Sequence, residues 1–159
     1  MTLPPIDPVA VDEFWSDYRS SVDRTDHVAY TDVFHFGDHP AMADELLALV
    51  LSGRKRATAS GLLELQHAGI AIPRVGDHWI VCDGRSRPRV VGTTTDVRVG
   101  PLRSVDDAFA FDEGEGDRTR ADWLRQHSIY FRRAYAVAGL HYHSDIEVVF
   151  ERFDVVHAP

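Results

Sequence analysis

The sequence predicts an α+β fold with a mixed sheet or a small barrel. Two observations carry this. Apolar residues recur at helical spacing in three separate stretches, over residues 7–18, 40–52 and 119–138. Strand patterns rich in valine and threonine stand between and after them, at 78–82, 90–99 and 146–156. Helices first, then strands interleaved with helices, then a closing strand, is the order of an α+β domain.

Each element has its own signal. Asp7-Pro8 supplies an N-cap and an N1 proline. Val11, Phe14, Trp15 and Tyr18 follow on one helical face. Residues 20–31 are polar and read as a loop, so residues 1–30 are expected to form a helical arm on a main domain of residues 31–159. Gly37-Asp38-His39-Pro40 breaks the chain and opens a second helix over 40–52. Met42, Leu46, Leu49 and Val50 line its apolar face, which Leu47 and Leu51 widen. Gly53 suits the position after that helix, where a left-handed backbone costs glycine little. Residues 57–60 read as extended, and Leu62, Leu63 and Leu65 as one or two helical turns. Pro73 to Asp77 is turn chemistry. The strand over 78–82 ends at Asp83-Gly84, and 90–99 is the strongest strand in the chain. Pro88 belongs at its start or in the turn before it, because proline cannot donate within a ladder. Residues 105–111 suggest a short helix, and Glu113-Gly114-Glu115-Gly116-Asp117 an acidic loop. Thr119-Arg120-Ala121-Asp122 caps a last helix that carries Trp123, His127, Tyr130, Phe131 and Ala134 and ends at Gly139.

The totals narrow the function classes. The chain of 159 residues fits one domain with a real core, and 44% hydrophobic with 26% charged residues is ordinary for a globular protein. No apolar stretch approaches the ~20 residues of a membrane span. Residues 1–8 lack the basic start and apolar stretch of a signal peptide, and the single Cys82 cannot pair internally. Together these predict a cytoplasmic protein. The net charge of −8 lies wholly in residues 1–52, which hold ten acids and two arginines. Residues 53–159 balance 15 acids against 15 bases. Extended duplex binding, which needs many neutralised phosphates, is disfavoured, whereas a small anionic ligand is not.

The stretch Gly53-Arg54-Lys55-Arg56-Ala57-Thr58-Ala59-Ser60 carries the chemistry. Lys55 is the one lysine among 16 arginines. Burial can turn a lysine into a base, which arginine cannot become. A lysine three residues before a threonine makes a candidate base and nucleophile pair. The alternative is a basic helix end, where cations are favoured by the helix dipole.

The motif Gly53-x-Lys55-x-x-Thr58 after an amphipathic helix resembles the ASCH domain, a relative of the PUA fold. Val75-Gly76-Asp77 before a strand, the strand over 90–99, the acidic 113–117 segment, the Trp123-His127-Phe131 helix and the final strand agree in order. The resemblance covers about residues 34–156. It implies a PUA-like mixed β-barrel flanked by helices, with the N-terminal helix as an addition. It also implies RNA or a nucleoside-like small molecule as partner; apart from the resemblance, no membrane partner, cofactor or metal is expected. Small members are amidohydrolases that deacetylate N4-acetylcytidine, and others have been described as ribonucleases. In the amidohydrolases the lysine and threonine work with a glutamate. Lys55 and Thr58 match directly, and the glutamate is Glu113 as first choice and Glu115 as second. Arg54, Arg56, Ser60 and Glu115 are the implied substrate contacts. This chain has Ser60 where the short amidohydrolases have arginine, and it has an insert of about residues 61–72.

On this reading Thr58 attacks an amide carbonyl, neutral Lys55 takes its proton, and Glu113 orients the lysine or protonates the leaving amine. A close carboxylate also raises a lysine pKa, so geometry decides which effect wins. For RNA cleavage the same groups would serve the 2′-hydroxyl and the phosphorane charge. A non-catalytic binding module in the same cleft is the alternative class. Other candidates are weaker: His141 and His143 for a metal, His127 as a core histidine, and Arg85, Arg87 and Arg89 as a solvated hairpin tip or phosphate contact. Trp79, Trp123, Tyr130 and Phe131 read as core aromatics, and Cys82 as a buried small hydrophobe.

Overall fold

The computed structural model describes residues 1–23 and 26–159. Among the described residues five helices and five strands follow one another as α1 (Pro8–Ser21), β1 (Tyr30–Phe34), α2 (Pro40–Leu51), β2 (Ala57–Gly61), α3 (Leu62–Ala68), β3 (His78–Cys82), β4 (Pro88–Pro101), α4 (Asp107–Glu113), α5 (Arg120–Ala138) and β5 (Glu147–His157). A short 3-10 turn, Leu102–Ser104, precedes α4. Of the loop expected over 20–31, Arg24 and Thr25 lie outside the described residues. Ser20 and Ser21 close α1, and Tyr30 and Thr31 already belong to β1.

The strands run in the order β1-β3-β4-β5-β2, with parallel and antiparallel pairs, so the sheet is mixed as the sequence predicts. Among the described residues β1 and β2 end this order, and the expected barrel is not closed. The chain divides into two compact units, each assembled from separate segments.

The first unit holds residues 1–53, 76–94 and 153–159. Asp7 caps α1 by accepting from Val9 N at 3.0 Å. Val11, Trp15 and Tyr18 of α1 are buried with Ile80 and Val91. In α2 the buried residues are Ala43, Leu46, Leu47 and Val50, while Leu51 is exposed. Leu46, Leu47 and Val50 pack with Phe36, Trp79, Val81, Val90 and Phe153. Gly92 is required here, because the Trp79 ring occupies the space a Cβ would take. The strand β1 is the element that sequence patterning misses: five residues, none of them buried, pair parallel with β3. Cys82 is fully buried, and burial, helped by the Asp83 charge, pushes its thiol up to about 11.

The second unit holds residues 54–75 and 95–152. Its core joins Ala57, Val148 and Phe150 of the strands to Phe109 of α4 and Trp123, Phe131 and Tyr135 of α5. Thr119 caps α5 by accepting from Asp122 N at 3.2 Å, and Gly139 closes it in the left-handed conformation.

The buried face of α1 yields a stability prediction. Trp15 is 8% exposed and edges onto Tyr30 at 5.5 Å. Trp15→Ala should cost about 3 kcal/mol, the lower end for a buried large aromatic. A melting temperature within a degree of wild type would show that α1 does not dock through this residue.

Candidate active site

The site is built from two pieces of the second unit, the segment leading into β2 and the segment joining α4 to α5. Asp106 caps α4, accepting from Phe109 N at 2.7 Å, and the helix runs on to Glu113. This corrects the expected loop boundary: Glu113 is the last helical residue and is 2% exposed, not part of an acidic loop. The turn begins at Gly114, whose φ is 77°. A Cβ there would meet the Arg54 carbonyl, so only glycine lets the turn lie this close to residues 54–55. Arg54 then fastens it, donating from Nε to Gly114 O at 2.7 Å and from Nη2 to Gly116 O at 2.9 Å.

Lys55 lies beneath this turn and is 1% exposed. Its ammonium donates to Ala57 O at 2.9 Å, to Glu115 Oε1 at 2.8 Å and to Glu113 O at 3.4 Å. Three acceptors for three N–H donors describe the charged amine. The Glu115 side chain is 31% exposed, so this ion pair is buried at the lysine and part-exposed at the glutamate.

The Glu113 carboxylate points elsewhere. Trp123 Nε1 donates to its Oε2 at 2.6 Å, and His127 Nε2 lies 2.7 Å from its Oε1. The other nitrogen of His127, Nδ1, lies 2.9 Å from the Trp123 carbonyl. Both ring nitrogens therefore face acceptors, which fits an imidazolium. Its ring stacks on Trp123 at 3.8 Å and 12°. Burial pushes the Glu113 carboxyl up, but the His127 and Lys55 charges and the hydrogen bonds from His127 and Trp123 outweigh it and hold it below the usual range. Burial pushes His127 down, and the Glu113 charge and hydrogen bond, with smaller help from the Trp123 carbonyl, outweigh it and raise it. Two cations, Lys55 and His127, thus balance two anions, Glu113 and Glu115.

The structure brings together Lys55, Glu113 and Glu115 among the expected site residues. Thr58 directly follows Ala57, whose carbonyl the Lys55 ammonium holds. Thr58 sits on β2 opposite Glu151, and alternation along the strand puts Thr58 and Ser60 on the face away from Ala57 and Ala59. No hydrogen bond joins the Thr58 hydroxyl to Lys55. Arg54 is spent on the turn, and Arg56 N donates to Asp112 O at 2.6 Å. The partners that sequence reasoning missed are Trp123 and His127. Their spacing on α5 puts them on one helical face, and Glu113 ten residues earlier was the signal to pair with it. Among the described residues no group of three His, Cys, Asp or Glu is placed to hold a metal, and the His141 and His143 rings lie 6.3 Å apart. A cavity of about 400 Å³ lined by Trp15, Ser16, Arg19, Ser20 and Asp23 contains none of the motif residues.

A small α+β domain with a buried lysine, an acidic turn and a tryptophan–histidine helix defines the class. The chain belongs to the ASCH domain family, whose model matches residues 32–157. Its fold is consistent with the PUA-like class, and membership suggests an RNA-related function. It is similar to the crystal structure of an ASCH domain from Lactobacillus crispatus JV V101, with 27% identity and a TM-score of 0.86 over 98% of this chain and 99% of that one. It is also similar to the crystal structure of a protein from Enterococcus faecalis V583, with 31% identity and a TM-score of 0.82 over 92% of this chain and 87% of that one. Comparison with curated proteins finds no match. No helix among the described residues is long and apolar enough to cross a membrane.

The Glu113–His127 pair predicts a pH signature. A lowered Glu113 pKa gives stability that is lost as pH falls through that folded value. A raised His127 pKa gives stability that is lost as pH rises through its folded value. The contribution is complete between the ordinary values of about 4.3 for glutamate and 6.5 for histidine. Melting curves of wild type and Glu113→Gln should therefore differ most near pH ~5–6 and converge on either side. A constant offset from acid to alkaline pH would contradict the assigned charges.

Proposed function

We propose that this chain is a hydrolase acting on RNA or a nucleoside-like ligand, with amide hydrolysis of an acylated cytidine as the favoured reaction. The observation that carries the reading is the Lys55–Glu115 pair, a buried ammonium holding one oxygen of a carboxylate whose side chain is part-exposed. Lys55 fixes Glu115 Oε1, which leaves Oε2 to accept a proton. Glu115, rather than Glu113, then fills the acid–base role, because both Glu113 oxygens are taken by Trp123 and His127. The Glu113 backbone carbonyl helps hold the lysine, while its carboxylate is held in turn by Trp123 and His127. The attacking oxygen, from the Thr58 hydroxyl or from water, gives its proton to Glu115. The C–N bond breaks, and the same proton passes to the leaving nitrogen. A Thr58 attack would leave an acyl ester that a water then hydrolyses by the same relay. Thr58 needs to approach in the ligand-bound state, since catalytic contacts are often long without substrate.

A non-catalytic binding module is the second reading, and one observation favours it. The three N–H donors of Lys55 are matched by acceptors within the protein, as expected of a structural ion pair.

Turnover of N4-acetylcytidine and of short RNAs separates the readings. Glu115→Gln keeps the size of a part-exposed side chain and should fold, yet lose about 10²–10⁴ in kcat, the scale of a lost acid–base group. Thr58→Val should fall as far if the hydroxyl attacks, and single-turnover experiments would then show an acyl-enzyme. Lys55→Met should lose activity with a lowered melting temperature, because it strips a buried acceptor cluster of its cation. Full activity in Glu115→Gln would remove the assigned base. Absence of turnover by wild type on every substrate, with ligand binding retained, would favour the module.

A further inference from the structure

The turn that carries Glu115 also carries a second device. Phe111 is 53% exposed, and the Arg118 guanidinium lies over its ring at 3.5 Å from the centroid. The arginine is held in place from three sides. Its Nε donates to Phe111 O at 2.9 Å, its Nη2 reaches Arg54 O at 3.5 Å, and its backbone N donates to Glu115 O at 3.2 Å. Its φ is 65°, a left-handed conformation that a non-glycine residue rarely adopts. The acids near it in sequence have other partners. Arg125 pairs with Asp122, Arg152 with Asp112, and Asp117 accepts from Thr119 N and Oγ1. Among the described residues Arg118 forms no ion pair. A planar cation, fixed flat on an aromatic ring and part-exposed, sits one short turn from the part-exposed side chain of Glu115.

We propose that Arg118, laid flat on Phe111, is the stacking platform for the base of a neutral nucleoside. The inference rests on reading the chain as a protein that acts on nucleoside-like ligands. One guanidinium face is covered by Phe111, and the outer face is a flat, positively charged surface for a pyrimidine. The unclaimed Nη1 supplies a donor at the edge for a carbonyl acceptor such as the cytosine O2. The charge of the surroundings selects the nucleoside over the nucleotide. Glu115 and Asp117 lie within three residues of Arg118 with part-exposed and exposed side chains, so a phosphate brought to Arg118 would meet carboxylates. A neutral base meets no such repulsion. Arg118 is a binding residue on this account, and the reaction itself belongs to Lys55 and Glu115.

Calorimetric titration of the full chain with cytidine and with cytidine 5′-monophosphate tests this. Arg118→Ala and Phe111→Leu should each weaken cytidine binding by about 5- to 30-fold. Arg118→Lys should not restore it, because an ammonium has no flat face. On a hydrolysed substrate the same variants should raise KM with kcat within about 2-fold, the mark of lost ground-state binding. Phe111 is exposed, so Phe111→Leu keeps the test sound even if loss of the Arg118 clamp loosens the turn. Unchanged cytidine affinity in both variants, or no cytidine binding by wild type, overturns the platform. So does 5′-monophosphate binding tighter than cytidine and preserved in Arg118→Lys, which would make Arg118 a phosphate contact. The outcomes are separable from those of the hydrolase reading. Arg118-dependent cytidine binding without any hydrolysis keeps the platform and sinks the enzyme. Hydrolysis whose KM ignores Arg118→Ala sinks the platform alone.

Discussion

A lysine ammonium with 1% exposure has to find acceptors inside the protein, and much of the second unit follows from where they are. One acceptor is the Ala57 carbonyl at the start of β2, one is the Glu113 carbonyl at the end of α4, and one is the Glu115 carboxylate. To present the last two together, the chain must leave α4 and turn back over Lys55 within two residues. That requirement explains Gly114, where the Arg54 carbonyl occupies the space of a side chain. It also explains the use of Arg54 as a clamp on Gly114 O and Gly116 O. A turn held by an arginine fork and a buried ammonium is fixed from both sides of the strand segment.

The same turn sets the placement of α5. Once the Glu113 carbonyl is committed to Lys55, its carboxylate is buried and needs donors of its own. Trp123 and His127 supply them from adjacent turns of α5, and the stacked rings of the two carry the charge into the aromatic core beside Phe109, Phe131 and Phe150. The cluster is neutral as a whole, which lets Lys55, Glu113 and His127 be buried without a prohibitive desolvation cost while Glu115 stays part-exposed. Such clusters are seldom the most stable solution, since well-packed apolar residues of the same volume often do better. Removing a single member is a different matter, because it leaves its partner charged and unpaired. The arrangement is thus one that resists piecemeal loss, and its half-open end at Glu115 is the part in contact with solvent.

How much of this was legible in the sequence depended on the range of the signal. Local chemistry read well. Asp7 and Thr119 cap the helices they were expected to cap, Gly53 and Gly139 take left-handed conformations after theirs, and Pro88 begins β4. Signals carried by partners far along the chain did not. β1 has no buried residue and no alternation strong enough to mark it, and its pairing with β3 makes it a strand. Glu113 looked like part of a flexible acidic run, because three acids and two glycines in five residues suggest a loop. The Asp106 cap and the partners on α5 extend the helix through it instead. The Lys55 and Thr58 spacing suggested side chains that meet, which holds on a helix. Here Lys55 lies before β2 and turns its ammonium to the Ala57 carbonyl, while Thr58 lies within the strand, and no hydrogen bond joins the two side chains. The sequence motif therefore identifies the segment more securely than it identifies the pair.

The single lysine finally makes physical sense from its acceptors. Arginine is the chain's general-purpose cation, and here it clamps turns, pairs acids and covers aromatic rings. Those tasks use a wide planar fork. The pocket beneath Gly114 asks for the opposite: a compact charge whose three donors diverge toward a carbonyl on one strand, a carbonyl ending a helix and one carboxylate oxygen. A tetrahedral ammonium fits that geometry, and a flat guanidinium with five donors would leave some of them unmatched in a buried site. The choice of lysine is thus explained by shape before any appeal to proton transfer. It follows that the presence of this lysine does not by itself establish a base. The carboxylate it holds is the part-exposed member of the cluster, the one that solvent reaches without unpacking the core.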